Sequence, residues 1–171
     1  SYGSKVFVAK GGYFLNNEMD DFSSKPGVPN MFGLIGGKVN AIAPQKRMLS
    51  AMTPTIIERN GKLAMVVGTP GGSTIITSVL QTLLNVFEFN MDIQTAVNAP
   101  RFHHQWLPDH VVFEPKLFSP ELIDSLKEKG YDVKEEYSRI IGRVDAIYIS
   151  EDSLISTGAD PRGDDTAVHL Y

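Results

Sequence analysis

At 171 residues, with 42% hydrophobic and 21% charged side chains, the chain is long enough for one ordinary globular domain and carries no compositional sign of disorder. A formal net charge of −4, with lysines and arginines scattered rather than striped, argues against a non-specific nucleic-acid binder. The absence of cysteine excludes disulfides, thiolate zinc sites and thiol catalysis, and no apolar run reaches the ~18 residues that a membrane helix needs.

The opening SYGSKVFVAK lacks the long apolar segment of a signal peptide. Ser1 starts inside a strand-forming region with no cap or tail before it, as expected for a piece of something longer. VFVA (residues 6–9) and GYFLN (residues 12–16) read as short strands around a Lys-Gly-Gly turn. LNNEMDDF (residues 15–22) follows, with two amides and three acids. Glu18 and Asp21 are three apart, so on a turn or a helical stub both face one side, where together they suit an ammonium group. A solvated surface turn accommodates the same residues.

Residues 23–37, SSKPGVPNMFGLIGG, hold two prolines and four glycines and read as a loop. Its length marks it as a functional lid or a packed-down segment, and Met31, Phe32, Leu34 and Ile35 are too apolar for a solvated linker. A lid is the preferred reading. In TPTIIERNGKLAMVVGT (residues 53–69) two β-rich runs flank Asn60-Gly61, the dipeptide of a type I′ hairpin.

Ile75, Ile76, Val79, Leu80, Leu83 and Val86 follow helical spacing and predict a helix from near Ser73. A second short helix is expected from the Asp92 cap. SPELIDSLKEKG (residues 119–130) marks a third, with Ser119 as cap, Pro120 at the first helical position and Gly130 as the stop. VDAIYIS and SLIST return to strands across a tight Glu151-Asp152 turn. Strands, then helices, then strands predict an α+β layer structure, here as a single domain over residues 1–171.

Three stretches carry candidate chemistry. GTPGGS (residues 68–73) lies at a strand-to-helix junction, where Gly71 and Gly72 let a substrate approach their backbone N–H groups and the helix adds its positive end. That equipment suits an anion or a developing oxyanion; a tight turn needing glycine is the plainer alternative. It is no P-loop, because the lysine that should follow is missing. In RFHHQW (residues 101–106), adjacent histidines on a strand point to opposite faces and do not readily share a metal. No G-x-S-x-G elbow accompanies the many serines, and Ser1 serves as a nucleophile only if the mature chain starts there with its own α-amino group as base.

LNNEMDDFSSKPGVPN, GLIGGKVNAIAPQKRMLSAMTPTII, VVGTPGGSTIITSVLQ and APRFHHQWLPD closely resemble, in order and spacing, the small subunit of the bacterial gamma-glutamyltransferase family. The resemblance implies an N-terminal-nucleophile hydrolase, a layered αββα fold made by self-cleavage of a precursor, of which this chain lacks the first strands and the large subunit. It implies a threonine nucleophile at the start of the small subunit, which takes the γ-glutamyl group from glutathione as an ester. Water then releases glutamate, or an amino-acid or peptide acceptor takes the group. No metal or cofactor is implied; the implied partner is the large subunit from the same precursor, and the implied location is the periplasm or cell exterior.

Carried over residue by residue, Glu18 and Asp21 match the acids that bind the substrate α-amino group. Ser50 matches one of two adjacent serines that hold its α-carboxylate, and Gly71 and Gly72 match the oxyanion-hole pair. Residues 26–37 resemble the lid of some bacterial members. Two departures stand out. Ala51 occupies the place of the second serine, and the nucleophilic threonine falls upstream of the SYGS match, so Ser1 is not read as catalytic. The chain by itself is therefore expected to be inactive and to expose apolar surface. A related acylase acting on glutaryl or poly-γ-glutamate substrates, or a non-catalytic truncated member, are the alternatives. A glutaryl group has no α-amino group, and the presence of both Glu18 and Asp21 argues against it.

Overall fold

The computed structural model describes residues 3–135 and 140–168, so Ser1 lies outside the described residues. The chain forms two compact units, Ser1–Ala51 and Met52–Tyr171.

In the first unit, β1 (Phe7–Val8) and β2 (Tyr13–Phe14) pair antiparallel, with Phe7 opposite Phe14 and their rings 5.1 Å apart. Val8 O accepts from both Gly11 and Gly12 N–H, which closes the expected Lys-Gly-Gly turn. A 3-10 turn over Glu18–Asp21 follows, then the proline- and glycine-rich loop and a second 3-10 turn over Lys38–Asn40. Isolated bridges join Ser23 to Ala41 and Pro29 to Ile35. Among its described residues no hydrophobic side chain is buried, while Phe7, Met19, Met31, Val39 and Leu49 are exposed. Backbone and amide hydrogen bonds, rather than an apolar core, set the positions in this unit.

The second unit has a conventional core. β3 (Thr55–Arg59) and β4 (Lys62–Gly68) form the expected hairpin, with positive φ at both Asn60 (53°) and Gly61 (73°), as a type I′ turn requires. α1 (Thr74–Phe87) and α2 (Ile93–Asn98) follow. Asp92 caps α2 by accepting from Thr95 N–H at 3.0 Å. β5 (Phe102–His103) and β6 (Val111–Phe113) are antiparallel, and α3 (Pro120–Glu128) leads to β7 (Val133–Glu135), parallel to β6. β8 (Asp145–Ile149) and β9 (Ile155–Gly158) complete a four-stranded antiparallel sheet in the order β3-β4-β8-β9.

Helices cover one face of that sheet. Met65 and Val67 on β4 and Ala146 on β8 pack with Ile75, Val79 and Val86 of α1 and with Ile93, Ala96 and Val97 of α2. Ile76 and Leu80, counted with the apolar positions of α1, are instead 66% and 52% exposed. The 3.6-residue period turns 75, 79 and 86 toward the sheet and leaves 76 and 80 on the flank. The opposite sheet face is also apolar. Ile56, Val66, Ile147 and Thr157 are successive cross-strand partners, with Ile56 and Ile147 exposed, and a groove of ≈ 410 Å³ runs along it beside residues 166–168. The exposed apolar surface expected of the chain is therefore present on this face.

Candidate functional site

The acid-rich stretch folds as a short 3-10 stub, one of the two local forms that put Glu18 and Asp21 on one side. A 3-10 helix has three residues per turn, so the side chains at i and i+3 eclipse and Glu18 and Asp21 share one side. Asn16 Oδ1 accepts from Glu18 N–H at 3.0 Å, which starts the turn. Glu18 is exposed and Asp21 half-buried.

Asn40, which no local sequence signal singles out, ties this turn to the segment before Ser50. Its Nδ2–H donates to Asp21 O at 2.7 Å, and its Oδ1 accepts from Leu49 N–H at 3.1 Å. Its carbonyl accepts from Ser23 N–H at 2.9 Å. Lys46 Nζ donates to Val39 O and Ala41 O, holding the intervening segment compact. Ser50 and Ala51 are both exposed.

The lid-like loop is ordered around Asn30, whose Oδ1 accepts from Phe32 N–H at 2.9 Å and from Leu34 N–H at 3.0 Å. Gly27 N–H donates to Gly36 O, closing the base. Met31 at the tip is 79% exposed. An apolar tip on a hydrogen-bonded stem is what a cover over a ligand needs, although the same geometry suits a docking loop.

Gly71 and Gly72 belong to the second unit, between β4 and α1, with φ of +151° and +58°. Gly71 O accepts from Thr74 N–H and Oγ1, and Gly72 O from Ile75 N–H, so both carbonyls feed the first turn of α1. Among the described residues no acceptor meets either glycine N–H. A Cβ on Gly71 would lie 2.5 Å from Thr74 Oγ1 and 3.4 Å from Gly142 Cα. Behind the turn, Thr69 Oγ1 donates to Pro70 O and accepts from Arg143 N–H at 2.6 Å, which fastens the turn to residues 142–143.

That 141–144 segment is anchored by a buried charge cluster. Arg101 Nη1 donates to Asp160 Oδ2 at 2.7 Å and to Ile141 O at 3.1 Å, while Val144 N–H donates to the same Asp160 oxygen at 2.7 Å. Arg162 binds Glu114 through two parallel hydrogen bonds, Nε to Oε1 at 2.6 Å and Nη2 to Oε2 at 2.8 Å, and reaches Asp160 at 3.0 Å. Burial pulls the Arg101 guanidinium below its ordinary range. Burial pushes the Asp160 carboxyl up, but hydrogen bonds from Arg162 N–H, Val144 N–H and Arg101 outweigh it and leave the group below the usual carboxylate range.

The histidines behave as strand neighbours. His103 is buried, with Nδ1 2.7 Å from Thr77 Oγ1, whereas His104 is exposed and pairs with Asp109 at 3.1 Å. Among the described residues no group of three or more His, Asp or Glu is placed to hold a metal ion.

Residues 1–170 match the family model of gamma-glutamyltranspeptidase. The chain belongs to the gamma-glutamyltranspeptidase family. It is 46% identical over 171 residues to the glutathione hydrolase proenzyme of Escherichia coli K12, covering all of this chain and 29% of that protein. A gamma-glutamyltranspeptidase from Pseudomonas nitroreducens, solved in complex with L-DON, superposes with a TM-score of 0.89 at 43% identity, covering 99% of this chain and 88% of that one. The gamma-glutamyltranspeptidase of Helicobacter pylori gives 0.89 at 47% identity, with 95% and 88% covered.

Gamma-glutamyltranspeptidases are thus matched here over 29% of a proenzyme but over 88% of a solved chain, so the solved relatives carry this region as a separate, short chain. The α+β architecture is that of the family's N-terminal-nucleophile fold, as expected from the sequence.

Proposed function

We propose that this chain is the substrate-holding part of a γ-glutamyl hydrolase or transferase, active only when completed by the rest of its proenzyme. The observation that carries the reading is the Glu18–Asp21 turn, with two carboxylates on one side and Asn40 tying it to the segment that leads into Ser50. Glu18 and Asp21 hold the substrate α-ammonium, the Ser50 hydroxyl donates to the α-carboxylate, and the Gly71 and Gly72 N–H groups receive the oxyanion. The acidic pair also favours γ-glutamyl over glutaryl substrates, which have nothing to offer it.

The attacking group comes from outside these residues. A threonine hydroxyl attacks the γ-carbonyl carbon, its proton passing to the threonine's own α-amino group. The C–N bond breaks as the leaving amine takes that proton, and a γ-glutamyl ester remains. Water, or the amine of an amino acid or peptide, attacks the ester and restores the hydroxyl. Glutathione, whose cysteinyl nitrogen is the leaving amine, fits this scheme, and the Met31–Phe32 tip fits the role of its cover.

Two substitutions in the complete proenzyme test the clamp. Glu18→Gln keeps the shape but removes one charge facing the ammonium, and kcat/KM for a γ-glutamyl anilide is expected to fall by about 10- to 100-fold, matching the ~1.5–3 kcal/mol of a hydrogen bond to a charged group. An unchanged kcat/KM would remove Glu18 from the site. Ala51→Ser restores the missing hydroxyl beside Ser50 and is expected to lower the Kd of a γ-glutamyl ligand. A titration showing no tightening would mean that the second hydroxyl is dispensable here.

A further inference from the structure

We infer that Asn40 is the positioning residue that holds the two halves of the substrate clamp in register. The inference rests on the clamp reading of Glu18, Asp21 and Ser50 proposed above. Its own support is the placement of one amide between two backbone groups of opposite polarity. Asp21 offers a carbonyl oxygen and Leu49 an N–H, and Asn40 meets the first with Nδ2–H at 2.7 Å and the second with Oδ1 at 3.1 Å. Only one orientation of the amide serves both, because the flipped side chain would set oxygen against oxygen and N–H against N–H.

The bridge spans residues far apart in the chain, 19 positions to Asp21 and 9 to Leu49. Asn40 is itself fixed, since its N–H donates to Gly37 O and its carbonyl accepts from Ser23 N–H. With no hydrophobic side chain buried among the described residues of this unit, packing does not hold the acid turn and the Ser50 segment at their spacing. The Asn40 amide links the two directly, beside the Ser23–Ala41 bridge and the Lys46 hydrogen bonds to Val39 O and Ala41 O. Asn40 therefore acts through Asp21 and Ser50 and need not touch the substrate.

The two bonds can be separated. Asn40→Asp keeps an acceptor for Leu49 N–H but sets a carboxylate oxygen against Asp21 O, so it disturbs the acid turn alone. Asn40→Ala removes both bonds. In the complete proenzyme, kcat/KM is measured for a γ-glutamyl and a glutaryl anilide, which share the carboxylate and differ only in the α-amino group. The ratio of the two is independent of how much of a preparation is folded.

Wild type is expected to prefer the γ-glutamyl substrate. Asn40→Asp is expected to cut that preference by about tenfold, through KM, with glutaryl turnover retained. Asn40→Ala is expected to lower turnover of both substrates. A preference left intact in Asn40→Asp would overturn the role of Asn40 alone. A wild-type enzyme indifferent to the α-amino group would overturn the clamp reading, and the role of Asn40 with it.

Discussion

Asp160→Ala is expected to destabilise the protein by about 3–5 kcal/mol, the usual consequence of removing one partner from a buried ion pair. Asp160 is 0% exposed, and its carboxylate accepts from Arg101, Val144 N–H, Arg162 Nη1 and Arg162 N–H. Its loss leaves the guanidinium of Arg101, a residue 1% exposed, hydrogen-bonded to carbonyls only, with Glu114, already bound to Arg162, as the remaining opposing charge. Urea denaturation of the complete proenzyme reads the effect, and a loss below about 1 kcal/mol, the range of an exposed pair, would show that the cluster is better solvated than its burial implies.

The same residue sets an acid response. Because the folded carboxyl lies below its unfolded value, its contribution is fully present above the unfolded value of about 4 and is lost as pH falls through the folded one. The urea midpoint of wild type is expected to drop on acidification below about pH 4, and that of Asp160→Asn to drop less.

The second large effect concerns Gly71. In the complete enzyme, Gly71→Ala is expected to reduce kcat by about 10²–10³, the range seen when one oxyanion donor is lost. The alanine would sit at φ +151°, where L side chains are strained, with its Cβ 2.5 Å from Thr74 Oγ1. Strain at that φ is expected to rotate the 71–72 peptide and with it the Gly72 N–H. Gly68→Ala is the control, because a Cβ there meets nothing within 4 Å. Equal activity of the two variants would take the GTPGGS turn out of the chemistry. The expected fall in kcat without a matching change in KM would distinguish transition-state stabilisation from substrate binding.

The features legible in the sequence are those whose chemistry is local. Asn60-Gly61 specifies its own turn, Asp92 and Ser119 cap their own helices, and the i, i+3 spacing of Glu18 and Asp21 is enough to place both on one side of a short 3-10 turn. The sheet of β5, β6 and β7 is not legible in the sequence, because strands of two or three residues carry too little alternation to register, and β7 joins it only through the α3 crossover. The apolar period of α1 is visible in the sequence, but the spacing does not say which flank faces solvent, as Ile76 and Leu80 do.

The supports of the site were invisible for a similar reason. Arg101, Glu114, Asp160 and Arg162 look like ordinary surface charges until the fold buries them together. Asn40 looks like one more loop amide. Its partners, at 21 and 49, are set by the path of the chain and not by spacing.

The γ-glutamyl-enzyme reading is tested by the N-terminal residue and intact mass of the short chain released from the full-length gene product, expressed uninterrupted and then exposed to a γ-glutamyl substrate. Self-cleavage ahead of a threonine upstream of Ser1 is expected, with a γ-glutamyl ester on the chain released. A product that stays uncleaved, or a short chain that begins at Ser1, would contradict it.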